Sequence, residues 1–191
     1  LPGIYFAREK VREDAISQMR QSTRLAVKDF EKKTDNVEDV CQALEVAFRN
    51  EFDPEKDFEN NQSLQNFKET FTPEFKAILD KMQPMSLWLI FNTEQIGGEH
   101  TIAFYKKNGT SNYIRSPQYN IYDRDIEDPS MQWWPLALEK GKGWTNPYFW
   151  DSWDMEVISY TRAIKYNSEM VAAIGSDFHF NKMTTYLDTL P

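Results

Sequence analysis

A chain of 191 residues with 40% apolar side chains fits one folded domain, and this hydrophobic content excludes an intrinsically disordered protein. A net charge of −8, with 22 basic residues scattered among 30 acidic ones, argues against nucleic-acid binding. The single cysteine, Cys41, excludes an intrachain disulfide and a thiolate metal cluster. Its position in an apolar helical stripe predicts a buried, inert thiol.

The apolar runs of the chain are short. The longest, such as Met85 to Phe91, fall far below the ~20 residues that a membrane-spanning helix needs, and no signal-peptide pattern opens the sequence. Leu1-Pro2-Gly3 looks like an internal boundary, so these observations leave the topology of the full-length protein open.

The first third of the sequence predicts long helices. From Ile4 to about Lys33 there is no Pro or Gly, and apolar residues recur on one side. A helix of ~28 residues is ~42 Å long, more than a compact domain of this size covers, so part of it should project or pair with another copy. A break is predicted at Thr34 to Asn36, where Asn36 resembles the N-cap of a second helix.

The next segment predicts a loop and a further helix. Residues from Asn50 to Ser63 are acidic and rich in Asn, with Pro54 among them, which is typical of a loop. Thr72-Pro73-Glu74 then combines a cap, a Pro at the first helical position and an acid, and predicts a helix to about Met82.

After Pro84 the sequence turns to β-prone runs. The Asn108-Gly109 step predicts a hairpin between the second and third run, and a turn at Tyr166 to Glu169 predicts another. A short helix from about Asn181 to Leu190 should close the chain. The predicted fold class is therefore α+β, with an antiparallel sheet of about five strands built from residues 86–91, 101–105, 113–115, 156–164 and 170–175.

Three segments of the C-terminal half carry a family resemblance. The aromatic pair Trp133-Trp134 opens a short helix, Trp144 and Pro147-Tyr148 form a turn, and Ser159-Tyr160 begins a strand. A hairpin and a last strand ending Gly175-Ser-Asp177 follow. In order and spacing this pattern resembles the Cache family of sensor domains. The resemblance implies a PAS-like five-stranded sheet with a long N-terminal helix and further helices packed on it.

The resemblance also implies a function and a domain organisation. The chain would be the extracytoplasmic, periplasmic or extracellular, ligand-binding sensor domain of a transmembrane receptor in the cell membrane. Its output module would be a histidine kinase, chemoreceptor, cyclase or phosphatase. Residues 1–84 would supply the helical segment and 85–191 the sheet, in one continuous domain. Homodimerisation through the N-terminal helix is expected, in a single-Cache receptor or the distal lobe of a double one.

Departures from the family pattern concern the ligand. Cache receptors for amino acids have an Arg two residues before the aromatic pair, where this chain has Met131. They also have an acid two residues after the turn Tyr, where Trp150 stands here, with Asp151 one residue further. Tyr148 and Asp177 are retained. We therefore expect a less charged or more aromatic-compatible small molecule than an ordinary α-amino acid.

Each candidate ligand-binding residue also has a structural interpretation. Five Trp between Trp133 and Trp153 predict either rigid faces that stack on a sugar, an aromatic ring or a quaternary amine, or a hydrophobic core. Asp177 could bind a cationic group or cap the helix that follows. Arg115 could replace the missing Arg or lie on a solvated face. The candidates are Trp133, Trp134, Tyr148, Trp150, Asp151, Asp177, Arg115 and Tyr160.

Catalysis is not predicted. The two histidines, His100 and His179, lack metal-ligand spacing, and no nucleophile elbow, phosphate loop or metalloprotease motif occurs. We expect no cofactor and no metal. One alternative is a surface carbohydrate-binding module with an exposed Trp platform. Another is a small hydrolase, which would need two converging carboxylates, for example Asp151 and Asp154.

Overall fold

A computed structural model describes residues 2–94, 97–106, 111–118 and 120–180. The predicted Asn108-Gly109 turn and the predicted helix from Asn181 to Leu190 lie outside these ranges. The chain divides into two compact units, and the larger, Asn36–Phe180, holds the sheet and the helices that cover it. No helix within the described ranges has a stretch that is long and apolar enough to cross a membrane.

The N-terminal region forms one helix, α1, over Pro2–Glu51. The predicted break at Thr34 to Asn36 is therefore wrong. No Pro or Gly occurs between Ile4 and Glu51, and Thr34 Oγ1 donates to the carbonyls of Phe30 (3.3 Å) and Glu31 (2.8 Å) one turn back. A polar side chain that suggests a cap is thus satisfied inside the helix.

Two further helices replace the predicted loop. Asp53 caps α2, Pro54–Asp57, and the side chain of Asn60 accepts from two backbone N–H groups (2.9 and 3.0 Å) to begin α3, Asn61–Met82. The predicted start at Thr72 is therefore wrong, because the helix continues through Pro73. The apolar side chains before and after Pro73 share one buried stripe: Leu64, Phe67, Phe71, Phe75 and Ile78.

The remaining elements build one antiparallel sheet. The strands are β1 (Ser86–Phe91), β2 (Thr101–Lys106), β3 (Tyr113–Arg115), β4 (Lys142–Trp144), β5 (Tyr148–Trp150), β6 (Met155–Tyr166) and β7 (Glu169–His179). Their order is β3-β2-β1-β7-β6-β4, with β5 also paired to β6, and helix α4, Trp133–Lys140, precedes β4. The α+β fold class is confirmed. Seven strands replace the expected five because β4 and β5 both pair with the long β6.

The sheet is covered on both faces. The C-terminal part of α1 and helix α3 cover the first face with a core that includes Phe48, Phe71 and Leu89. Helix α4 covers the second face, where Trp133 and Trp134 pack with Trp88. Strand β1 is buried along its whole length, as expected for a central strand. Cys41 is fully buried in the first core, as predicted, and burial raises the pKa of its thiol.

Candidate ligand-binding site

A pocket lies on the second face of the sheet. Its volume is about 40 Å³, more than the roughly 10–15 Å³ that one water needs, so it has room for a small molecule of a few heavy atoms. Strands β1, β2, β5 and β7 and the start of α4 supply most of its wall. The lining residues are Ser86, Trp88, Ile90, Ala103, Phe104, Tyr105, Ser116, Trp133, Tyr148, Trp150, Trp153 and Asp177.

Aromatic rings form much of the pocket wall. The ring centroids of Trp88 and Trp133 are 4.7 Å apart, with the planes inclined at 57°. Tyr105 stacks on Trp153 at 4.6 Å and 25°, and Trp150 adjoins Trp153 at 5.7 Å. Such close ring packing fixes the side chains against one another, so the wall is rigid where the rings meet.

Among the described lining residues Asp177 is the single acid, and it is 6% exposed. Its Oδ2 accepts from Ser86 Oγ (2.6 Å), and its Oδ1 accepts from Ser159 Oγ (2.5 Å) and, at 3.4 Å, from Trp88 Nε1. The backbone N–H of Asp177 donates in return to Ser86 Oγ (2.7 Å). Three strands, β1, β6 and β7, thus hold the carboxyl in place.

Burial dominates the electrostatics of Asp177. It raises the pKa of the carboxyl above the usual value of 3.8, against the opposing effect of the hydrogen bonds from Ser159, Ser86 and Trp88. None of the ion pairs formed among the described residues involves Asp177. The acid is therefore fixed by neutral donors and has no cationic partner of its own in this part of the chain.

Tyr148 extends this network through a second hydroxyl. Its OH lies 2.7 Å from Ser159 Oγ, and the Ser159 N–H donates to Thr145 Oγ1 (2.9 Å). Because the one hydroxyl proton of Ser159 is directed to Asp177, Tyr148 is the donor to Ser159. The phenol of Tyr148 and the carboxyl of Asp177 are thus coupled through one serine.

Trp150 presents an unsatisfied donor. Its indole Nε1 is buried and finds no acceptor among the described residues, although the ring lines the pocket. A buried N–H without an acceptor is rare in folded proteins and is normally satisfied by a water or a ligand. This donor is neutral, so it suits a carbonyl or hydroxyl oxygen.

The structure brings four of the eight predicted site residues to this pocket: Trp133, Tyr148, Trp150 and Asp177. Trp134 packs behind Trp133 at 5.7 Å, and Asp151 is exposed just beyond β5. Whether any of these residues contacts a ligand stays a prediction.

Arg115 and Tyr160 lie on the other face of the sheet. Arg115 is paired across the ladder with Phe104, a residue of the first core, and directly opposite residues share a face. Tyr160 is buried in the same core, 5.3 Å from the Trp144 ring. The arrangement does not bring either side chain to the acid.

Sequence reasoning missed several pocket residues. Ser86 and Ser159 supply the donors to Asp177, and Trp88, Tyr105 and Ser116 complete the wall. Alternation along β1 could have placed Ser86, Trp88 and Ile90 on one face. Nothing in the sequence states which face meets Asp177, because that depends on the pairing of β1 with β7.

The alternative functions find no support in this site. All six tryptophans lie in the described ranges and are buried or half-buried, so they do not form the exposed platform of a carbohydrate-binding module. The described wall contains one carboxylate rather than a converging pair. In the described part of the chain, no group of three or more His, Cys, Asp or Glu side chains is placed to hold a metal.

A small-molecule pocket on one face of a PAS-like sheet that follows a long N-terminal helix is the layout of a sensor domain. Residues 55–185 match the family model described as the first PDC sensor domain of methyl-accepting chemotaxis protein-like receptors. The match covers more than half of the chain, and the chain belongs to this family. The prediction of a ligand-binding sensor domain is confirmed. Sensor domains of this kind bind ligands and are not catalytic.

Solved structures agree on the fold. The sensory domain of the Campylobacter jejuni chemoreceptor Tlp3 (CcmL) is 17% identical, with a TM-score of 0.61 over 95% of this chain and 66% of that one. A structure described as methyl-accepting chemotaxis protein X is 14% identical, with a TM-score of 0.67 over 95% of this chain and 68% of that one. The extracellular domain of the putative histidine kinase soHK1S-Z6 is 13% identical, with a TM-score of 0.59 over 98% of this chain and 67% of that one.

The chain spans about two thirds of the solved domains that it matches. The sequences of these domains are less than 20% identical to this chain, so the likeness shows a shared fold and does not extend to the ligand. The Tlp3 ligand-binding domain has been solved in complex with L-valine. None of the curated proteins matches this sequence.

Proposed function

We propose that this chain is the extracytoplasmic ligand-sensing part of a bacterial membrane receptor of the Cache type. The observation that carries the proposal is the convergence of Trp133, Tyr148 and Asp177 on one pocket. These three residues come from α4, β5 and β7, which are separate in sequence, and they meet around a buried carboxyl. A small molecule binds there and changes the contacts of the strands that form the wall.

Strand β6 offers a route for the signal. Ser159 bonds to Asp177 in the pocket, while the next residue, Tyr160, points to the opposite face and packs in the core under α1. Two residues further, Arg162 forms an ion pair with Glu45 of α1. A shift of β6 on ligand binding would therefore act on α1, which biases two arrangements of the receptor.

The proposal includes a homodimer and a membrane anchor. Helix α1 exposes Val11, Ile16, Met19 and Leu25, and Val11 is 69% exposed. Apolar side chains in such a stretch favour pairing with a second helix of the same kind. In a membrane receptor two copies would meet through this helix, which leads towards the membrane. Residues 1–84 and 85–191 together form one sensor domain, and the output is a chemoreceptor, histidine kinase, cyclase or phosphatase module.

The dimer is tested by sedimentation of the wild-type chain over a range of concentrations. We expect the chain to self-associate, and the association to weaken when Val11 and Met19 are both replaced by Glu. Charged side chains at these positions would disfavour apolar contact between two copies of α1. The substitution Lys10→Gln, at an exposed position of the same helix, serves as the control and should leave the association unchanged. A wild-type chain that stays monomeric at high concentration argues against pairing through α1 in these 191 residues.

Ligand binding is tested by a thermal-shift screen against amino acids, organic acids, amines, sugars and purines. A ligand that binds only the folded state, at ~100 times its dissociation constant, adds ~2.7 kcal/mol of stability. We expect a hit that is lost in Tyr148→Ala and Asp177→Asn and retained in Glu139→Gln, an exposed acid on α4. Hits that survive both pocket variants, or no hit in any class, contradict the proposal.

A further inference from the structure

A buried lysine on the first face of the sheet has no acidic partner. Lys68 of α3 is 2% exposed, and its Nζ donates to two neutral oxygens, the backbone carbonyl of Glu99 (3.3 Å) and Oε1 of Gln118 (2.7 Å). No ion pair within the described ranges includes Lys68. Buried charges are normally paired, because the removal of an ion from water is costly. The ammonium of Lys68 therefore lacks a counter-charge in this part of the chain.

A second cation, Arg115, lies beside this ammonium. Arg115 is exposed on the edge strand β3, on the same face of the sheet as α3, and it forms no ion pair with any described residue. Burial, and after it the positive charge of Arg115, lower the pKa of Lys68 to about 8, whereas the charges of Glu69 and Glu99 raise it. Two positive charges thus adjoin at one edge of the sheet, one buried and one exposed.

Gln118 adds an unused donor at the same place. Its Oε1 accepts from Lys68 and from the backbone N–H of Thr101 (3.1 Å), which fixes the orientation of the amide. Its Nε2 is buried and finds no acceptor among the described residues. Both atoms belong to one planar amide, so this N–H lies next to the ammonium. An acceptor there would satisfy a donor that folded proteins rarely leave unpaired.

His100 restricts where such an acceptor can lie. Its Nε2 is 2.7 Å from Asn61 Oδ1, and because an amide oxygen only accepts, Nε2 carries the proton. Nδ1 then presents a lone pair, which is buried and meets no donor from the described residues. Burial and the charge of Lys68 lower the pKa of His100 to about 4, so the ring is neutral at neutral pH. An anion is therefore favoured on the side of Arg115 and Gln118 and disfavoured beside the ring.

We propose that Lys68, Arg115 and Gln118 form a binding site for a small inorganic dianion, such as sulfate or hydrogen phosphate, at the β3 edge of the first face. Two cations match the charge of a dianion, and the several oxygens of such an ion can accept from all three side chains. A bound dianion would join α3 to the segments that precede β2 and follow β3. The site is separate from the pocket on the second face and does not depend on the proposed sensor function.

Isothermal titration calorimetry on the whole chain, at neutral pH and constant ionic strength, compares sulfate with perchlorate, a monoanion of the same tetrahedral shape. We expect a single sulfate to bind at least about tenfold more tightly than perchlorate, because its second charge meets the second cation. In NMR spectra the side-chain amide signal of Gln118 should shift on addition of sulfate, since its free N–H gains an acceptor.

Two variants test the two cations separately. Arg115→Gln removes the exposed charge and should lower the affinity for sulfate at least about tenfold. Lys68→Met keeps an unbranched side chain and removes the buried charge, so it should abolish sulfate binding. Lys142→Gln removes an exposed cation on β4, at the opposite edge of the sheet, and should bind sulfate like the wild type. Thermal unfolding establishes that each variant is folded, and Arg115→Gln, at an exposed position, decides the matter if Lys68→Met does not fold.

Two results would overturn the dianion site. Equal affinity for sulfate and perchlorate, or an unchanged affinity for sulfate in Arg115→Gln, would show only a general attraction of anions to the chain. If neither anion gives heat or moves the Gln118 amide signal, water alone satisfies this donor and the site does not exist. Neither result bears on the pocket of the second face, whose ligands are tested through Tyr148 and Asp177.

Discussion

Ser159 and Asp177 are cross-strand partners of β6 and β7, and Ser159 Oγ lies 2.5 Å from Asp177 Oδ1. The register of this hairpin therefore sets a buried contact of the pocket, because directly opposite residues share one face of the sheet. Tyr148 reaches the same serine from β5 at 2.7 Å. The position of the acid thus depends on two strand pairings at once.

Ser159→Ala should destabilise the domain by about 1–3 kcal/mol. It removes a donor from the buried carboxyl of Asp177 and leaves the Tyr148 hydroxyl without its acceptor on this serine. Urea unfolding measures the change as a lower midpoint at an unchanged slope. Ser111→Ala, at an exposed position, should unfold like the wild type. Equal midpoints for the two variants would show that Ser159 does not support the acid.

The contribution of Asp177 to the stability of the domain should fall as pH rises above the ordinary titration range of an aspartate. Burial raises the pKa of Asp177 in the folded state above its value in the unfolded chain, so the folded state holds this proton more tightly. The penalty is absent below the unfolded pKa, and it grows until pH passes the folded pKa. Burial lowers the pKa of His100 to about 4, which contributes with the opposite sign, so the decline is measured by urea unfolding as the wild-type curve relative to a variant without the acid.

Asp177→Asn is the control for that decline, because an amide does not titrate. Its stability should lack the Asp177 component and therefore fall less over the same range of pH. Parallel curves for wild type and variant would mean that the folded and unfolded states hold this proton equally. The other titrating groups, His100 among them, are common to both proteins and cancel in the difference between the two curves.

The strands and the long helix could be predicted from the sequence because each has a local signal. The β-prone run Ser86 to Phe91 coincides with β1, and the stretch without Pro or Gly coincides with the first part of α1. The strands β4 and β5 have three residues each, which is too short for any periodicity. They exist because the long β6 gives both of them a partner.

The pocket was predictable only in part, for a related reason. The order of motifs marked Trp133, Tyr148 and Asp177, which the structure brings together. Ser86 lies in no motif, and the motif order includes Ser159 only as the start of a strand, since a serine in a strand gains its role from the residue opposite to it. Arg115 was a candidate by residue type, and the pairing of β3 with Phe104 places it on the other face.

Gly175→Ala should close the pocket and destabilise the fold by about 1–3 kcal/mol. Trp88 and Gly175 are paired across β1 and β7, and a Cβ at position 175 would lie 1.9 Å from Trp88 Cζ2. The indole would have to leave its place in the wall. Loss of ligand binding together with a lower urea midpoint is the expected result.

Trp88→Leu provides the test of that explanation. The shorter side chain removes the clash, so the double variant Gly175→Ala with Trp88→Leu should be no less stable than Trp88→Leu alone. A double-mutant cycle measures this coupling directly. If the two substitutions simply add, the cost of Gly175→Ala arises from the backbone of β7 and not from the indole.

Arg162→Leu should destabilise the contact between the sheet and α1 more than an exposed ion pair would suggest. Glu45 is only 9% exposed and accepts from Arg162 Nε of β6 and, at 2.9 Å, from Arg49 Nε of its own helix. Loss of Arg162 leaves a mostly buried carboxylate with one partner, at a cost of about 1–3 kcal/mol.

Lys33→Met removes an exposed pair with Asp29, whose side chain is 46% exposed, and should cost less than about 0.5 kcal/mol. If urea unfolding shows Lys33→Met to be the more destabilising variant, β6 is not anchored to α1 through Glu45. The proposed signal route from Ser159 to α1 would then lack the ion pair between Arg162 and Glu45.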